Sequence, residues 1–227
     1  MRSRGAEIAR RAPRWAAQTL SLACAAALGD TACAFTATLT AASPKTIYLQ
    51  IGAGTFTGGN YTPIQGNGQP TGSPGQNTTI NAMSVTVPAA SVGNGAVQAM
   101  TTNSTTVMSF WDGFTFCTLP QLYIGGFYRT TGTGNGTISV IATVPASLTD
   151  GAGDTIPFSQ ISWTSSGIQD TGAEPFPAGS FSGPSVNVGS IGQNQWAESC
   201  WTFSYSNSAV HPAGTYTGTV LYTLTAP

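Results

Sequence analysis

Few residues in this sequence are of a type that could carry a reaction. The only histidine, His211, stands directly before Pro212 among turn-forming residues. Acid–base work by His211 would require an acid or nucleophile converging on it. No Gly-x-Ser-x-Gly elbow occurs in the chain. Beyond residue 34 the carboxylates are Asp112, Asp150, Asp154, Asp170, Glu174 and Glu198. A glycosidase needs two of them facing each other across a cleft. All but Glu198 fall in expected loops or turns, where soluble chains ordinarily place acids. Asp150 and Asp154 flank Gly151-Ala152-Gly153 and could lend oxygens to calcium. That spacing is short of an EF-hand loop, and calcium takes roughly six to eight ligands. A hairpin turn is the reading we adopt there.

Two other residue types invite a functional reading. Beyond residue 34 the cysteines are Cys117 and Cys200, too far from each other and from His211 to form a zinc-ligand set. An even pair in an exported chain points to a disulfide. Trp111, Trp163, Trp196 and Trp201, with Phe110, Tyr123, Tyr128 and Tyr205, are numerous enough for a sugar-stacking platform, for which Trp111 and Trp196 are the candidates. The competing expectation is that such rings, lying in alternating segments, fill a core around the disulfide.

Export is itself an expectation from the first 34 residues. Arg2, Arg4, Arg10, Arg11 and Arg14 form a basic head, Ala16 to Leu28 is mostly apolar, and Ala32-Cys33-Ala34 supplies small residues. That is the layout of a cleavable signal peptide, with cleavage before Phe35. Its apolar run is shorter than the roughly 20 residues of a bilayer-spanning helix. The remaining 193 residues, 35–227, keep only Lys45 and Arg129 against the six carboxylates, a formal charge of −4. Such a surface neutralises almost no phosphate, which argues against a nucleic-acid partner. With only 7% charged residues overall, Thr, Ser, Asn and Gln must form the polar exterior. Nothing in the sequence asks for a cofactor.

The elements that would hold these residues are strands. The clearest is Gly214–Pro227, with Tyr216, Val220, Tyr222 and Leu224 on one face and Thr residues on the other. Residues 35–41 alternate in the same way, and Ile47, Leu49 and Ile51 are expected inward. Further strands are expected at 80–87, 105–110, 114–118, 121–128, 137–144, 156–163 and 198–205, with a short one at 185–188. Turn-forming residues separate them. Gly/Pro-rich loops run from 52 to 77 and from 165 to 192. No window has a helical period, and no fixed repeat occurs. The expected fold is all-β: one immunoglobulin-like antiparallel β-sandwich domain over 35–227, with long Gly/Pro-rich loops and one disulfide.

Pro212-Ala-Gly-Thr-Tyr-Thr-Gly-Thr-Val220 resembles the closing strand of exported Gram-negative fimbrial subunits of the alternate chaperone–usher and spore-coat-U-like group. Phe35-Thr-Ala-Thr-Leu-Thr-Ala41 is similar to their N-terminal donor strand, and Asp154-Thr-Ile-Pro-Phe158 with Ile161-Ser-Trp163 to a mid-chain strand. The resemblance implies a sandwich lacking one strand, whose groove a neighbouring subunit fills by strand addition. Phe35, Ala37 and Leu39 would be the donor knobs. Other subunits and a periplasmic chaperone would be partners, and the periplasm, cell surface or exterior the location. The alternatives are that 35–41 is the first strand of its own sheet, and that the chain is a secreted glycan-binding module.

Overall fold

A computed structural model describes residues 36–43, 45–61, 72–132, 136–170 and 172–225. The signal-peptide expectation for 1–34 lies outside these residues, as does Phe35. The strands are β1 (Thr36–Thr38), β2 (Thr46–Ile51), β3 (Phe56–Thr57), β4 (Ser73–Pro74), β5 (Met83–Ser84), β6 (Gln98–Ala99), β7 (Thr101–Thr102) and β8 (Leu122–Arg129). They continue with β9 (Thr137–Thr143), β10 (Ser147–Thr149), β11 (Thr155–Pro157), β12 (Ile161–Ser166), β13 (Gly179–Ser180), β14 (Ser185–Gly192), β15 (Gln195–Tyr205) and β16 (Leu221–Thr225). Two single 3₁₀ turns, Ala89–Ser91 and Phe158–Gln160, are the helical pieces among the described residues. None is long and apolar enough to cross a membrane.

The architecture is an antiparallel β-sandwich. Its large sheet runs β13-β12-β15-β8-β2, and β1 and β6 also pair with β15. The small sheet runs β14-β9-β16. β15 is the spine. Its first half pairs with β8 on one side and β1 on the other, and its second half pairs with β12 and β6. Odd residues Ala197, Trp201, Phe203 and Tyr205 face the small sheet, together with Leu122, Ile124 and Tyr128 of β8. They meet Ile138, Val140 and Ala142 of β9 and Val188 and Ile191 of β14. The Trp163 and Trp201 indoles donate to the carbonyls of Pro177 and Phe176, so the one polar atom on each buried ring is satisfied.

β8 and β15 are buried on both faces, so the large sheet has a second, outer core. Even residues Trp196, Glu198 and Cys200 lie there, in register with Phe127 and Gly125 of β8 and, beyond those, Tyr48 and Gln50 of β2. Two loop segments, 52–61 and 104–120, cover this face. They interlock where the Tyr61 N–H donates to the Phe110 carbonyl at 2.9 Å. Gly113 has φ +81° and sits so close to Asn60 that a Cβ there would collide with its amide. The Cys117–Cys200 disulfide, with Cα atoms 5.5 Å apart, ties the end of segment 104–120 to β15.

Several sequence expectations change. Residues 105–110 and 114–118 form no strands. They make a hairpin bridged at Met108 and Thr115, because Phe110 and Phe116 are drawn down onto the outer face instead of extending a ladder. Only Met83 and Ser84 of 80–87 pair in a ladder, although Met83, Val85 and Val87 still alternate inward. The strand at 185–188 runs on to Gly192. The closing stretch is a ladder only over Leu221–Thr225, and Ile47, expected inward, is 44% exposed at an edge.

The disulfide closes a separation of 83 residues, a restraint worth about 4 kcal/mol on the denatured chain. The double variant Cys117→Ala/Cys200→Ala should therefore lose about 4 kcal/mol of unfolding free energy. Urea titrations of the two proteins under oxidising conditions check this, and equal midpoints would contradict it.

Candidate functional site

The outer face of the large sheet holds a carboxylate where an apolar residue would be expected. Glu198 is 1% exposed. Its position in β15 is fixed by its neighbours, since Trp196 and Cys200, two residues away on either side, anchor the same face. Opposite it in register stands Gly125. A Cβ on Gly125 would collide with the Tyr123 hydroxyl, so the missing side chain lets Tyr123 lie along its own strand toward Glu198.

Three neutral donors converge on this carboxylate. The Tyr123 hydroxyl donates to Oε2 at 2.6 Å, and the Trp196 indole N–H donates to Oε2 at 3.1 Å. The Ser109 hydroxyl, from the covering segment, lies 2.8 Å from Oε1 and 3.0 Å from Oε2. Ser109 Oγ in turn accepts the Trp111 N–H at 3.0 Å. Nearby on β2, the Tyr48 hydroxyl donates to Gln50 Oε1 and Gln50 Nε2 donates to the Gly52 carbonyl. Burial pushes the Glu198 carboxyl up to about 7, the three hydrogen bonds pull it down only in part, and the charge of Asp112 adds to the rise. Tyr123 is raised well above the ordinary phenol range by burial and by the Glu198 charge.

Around this group the rings form one packed cluster. Trp196 lies 5.5 Å from Tyr61, 5.7 Å from Phe127 and 5.8 Å from Trp111, centroid to centroid. Tyr61 and Trp111 are stacked at 25°. Ala37 and Leu39 pack into the same cluster from β1 and the residue after it.

The candidate ligand aromatics therefore change character. Trp196 is fully buried and has no face to offer a sugar, and Trp111 is half-buried under the same stack. Their burial follows from the two-sided core, which absorbs rings that a one-sided sheet would expose. Ala37 pairs opposite Trp196 in β15, within this chain. Cys117 and Cys200 are joined.

The remaining candidates make mostly local contacts. Asp150 Oδ1 accepts the N–H groups of Ala152 and Asp154, closing the turn that the spacing suggested. Asp112 Oδ1 accepts the Phe114 N–H in a similar local turn. His211 Nε2 lies 3.4 Å from Gln160 Nε2, with Tyr216 beside its ring. Burial, reinforced by the charge of Asp170, raises the Glu174 carboxyl, against a lowering hydrogen bond from Ser199. A polar cavity of about 140 Å³ lies along edge strand β2, lined by Tyr48, Gln50, Asn77 and Thr79 among others, with no carboxylate, histidine, lysine or arginine in its lining. The site that sequence reasoning passed over is Glu198. It was the one carboxylate inside an expected strand.

The sign of its pH dependence follows from the raised affinity for a proton. The folded chain holds its proton up to about pH 7, the unfolded chain only to about 4.5. Between these values the folded state binds more protons, so this group's contribution to stability falls as pH rises. The full loss is about 3 kcal/mol. Urea midpoints of the native protein should decline from about pH 4.5 to 8 relative to those of Glu198→Gln, which lacks this slope. Parallel curves would contradict the assignment. No protein-family model, curated protein or solved structure matches this chain.

Proposed function

We propose that this protein is an exported, non-enzymatic structural or adhesive subunit of a fimbria-like assembly, joined to its neighbours by strand addition. The observation that carries the reading is how β15 is completed. On one side, β12 covers Cys200–Tyr205, while β1 covers only Gln195–Ala197. A three-residue strand thus closes the remaining half of the spine's edge. Its knob Leu39 is 6% exposed within the outer aromatic cluster.

The pairing that β1 makes with its own β15 is available, contact for contact, to the same segment of a second copy. Exchange of an identical element between protomers requires only that the connection swing out. In that connection Thr40, Ala41, Ser43 and Lys45 are exposed, which suits a hinge. Extended peptides add to sheet edges through main-chain hydrogen bonds, with pockets for alternate side chains giving specificity. Here Ala37 and Leu39 would be the knobs, with Phe35 preceding them. Before assembly a periplasmic chaperone would cover the same gap. The opening segment sits on β15, not beside the closing strand. β16 has one neighbour, β9, among the described residues, and Leu221 is 63% exposed on it. The glycan-module alternative is weakened because Trp196 is buried.

Two measurements test the reading. A chain beginning at Pro44 should melt lower than one beginning at Phe35 and should recover stability on adding a peptide of residues 35–43. The same peptide carrying Leu39→Asp should not rescue it. The chain beginning at Phe35 should form filaments by electron microscopy, or heat-resistant ladders on gels. Two stable monomers of equal melting temperature would rule out strand exchange.

A further inference from the structure

Segment 104–120 is held over the outer face of the large sheet by backbone bonds from Tyr61 N–H to the Phe110 carbonyl and from Ile168 N–H to the Phe116 carbonyl, and by two side-chain fastenings of different kinds. Near its end Cys117 is bonded to Cys200. In its middle the Ser109 side chain reaches Glu198, and the next two residues, Phe110 and Trp111, lie on the aromatic cluster. The first fastening is covalent. The second depends on a carboxyl group with no cation beside it among the described residues.

We propose that Glu198 is a proton-operated latch: with its carboxyl protonated it holds segment 104–116 closed over the aromatic face, and on ionisation it lets the segment lift about the Cys117–Cys200 anchor. The geometry supplies each part. Glu198 belongs to β15, the donors Tyr123 and Trp196 belong to the sheet, and Ser109 belongs to the moving piece. The Phe116 and Cys117 N–H groups both donate to the Val107 carbonyl, and the Ser109 N–H to the Phe114 carbonyl, so the segment is a hairpin that can move as a unit.

Among the described residues, the groups around Glu198 from each element carry no compensating positive charge. Tyr123 comes from β8, Tyr48 from β2, Tyr61 from segment 52–61 and Asp112 from the covering segment itself. Asp112 adds negative charge. Arg129 directs its guanidinium to the Tyr61 hydroxyl and the Thr40 carbonyl, and Lys45 lies over the Tyr128 ring. An ionised Glu198 under the closed segment is a buried charge held by neutral donors alone, and lifting the segment gives it water. In the closed protein the group titrates near 7, against 4.5 for a solvated carboxyl. That difference sets the largest shift in the open-to-closed ratio at roughly 300-fold as pH rises through this window. Opening would uncover Trp196, Phe127 and Tyr61.

Hydrogen exchange on the intact, oxidised chain reads this directly, with rates corrected for intrinsic pH dependence. Amides of 105–116 should exchange through an opening more frequent than that of β8 and β9. Its opening constant should rise between pH 5 and 8, by up to roughly 300-fold. Glu198→Gln, which keeps the shape without the charge, should show no such rise. Equal protection of 105–116 and the core strands at every pH would mean the segment leaves only on global unfolding, and would overturn the proposal. So would the same pH profile in Glu198→Gln. Should that variant not fold, carboxyl-carbon NMR of the native protein decides. Titration of Glu198 near 7, in step with line changes at Trp111 and Trp196, supports the latch, and titration near 4.5 or without those changes overturns it.

Discussion

Both faces of β15 are apolar, and both must be kept from water. The odd-numbered rings need the small sheet, and the even-numbered Trp196 and Cys200 need something else. A sandwich supplies one partner sheet, so the second face has to be covered by irregular chain. Loops have fewer backbone partners than strands and must be fastened individually. The interlock of Tyr61 with Phe110, the disulfide and the Ser109–Glu198 contact are those fastenings. The start of the Gly-rich stretch 52–77 and the two expected strands 105–110 and 114–118 read differently in this light. Segments 52–61 and 104–120 are the second layer of the outer core, and Gly113 lets them meet closely enough to exclude water.

Where one face of a strand is buried, the sequence was readable. Thr137 to Thr143 alternates except at Ile141, and the buried residues are Ile138, Val140 and Ala142, as the pattern required. Tyr222 and Leu224 likewise face the core from β16. The pattern fails where both faces are covered, because period two then carries no contrast. Residues 122–128 were recognisable as a strand, but nothing in them said that Tyr123 and Phe127 are as buried as Ile124. The hairpin at 105–118 looked like two strands for the same reason: it is apolar and short, and only the tertiary fastening at Cys117 decides that it lies on a sheet instead of within one. Glu198 left a trace, as an acid between Trp196 and Trp201, yet its partners Ser109 and Tyr123 stand 89 and 75 residues away. Spacing cannot foretell such a convergence.

The chemistry at Glu198 explains why this acid is not simply a flaw in the core. An amide at that position would bring two donors of its own into a site that already offers three. A carboxylate accepts them all, at the expense of burying charge, and a carboxylic acid relieves the charge while the Ser109 hydroxyl can turn to accept its proton. The two protonation states are therefore close in free energy near neutral pH. An aliphatic side chain would leave Tyr123, Trp196 and Ser109 unsatisfied together, at about 1–3 kcal/mol for each orphaned group. The site tolerates an acid, and tolerates it in two forms.

The disulfide and the Ser109–Glu198 contact of segment 104–120 consequently respond to different variables. The disulfide keeps the end of the segment within reach whatever the pH, which holds the entropy lost on reclosing to that of a short hairpin and not of a free loop. Glu198 governs how often the hairpin sits down. Without the covalent anchor, ionisation would risk loss of the whole outer layer. Without the ionisable group, the anchor would tether a segment that is permanently closed. Placing Cys200 and Glu198 two residues apart on the same face of the same strand puts the hinge and the latch on a single rigid element, so that opening one side of the sheet leaves the opposite core, from Trp201 to the small sheet, packed as before.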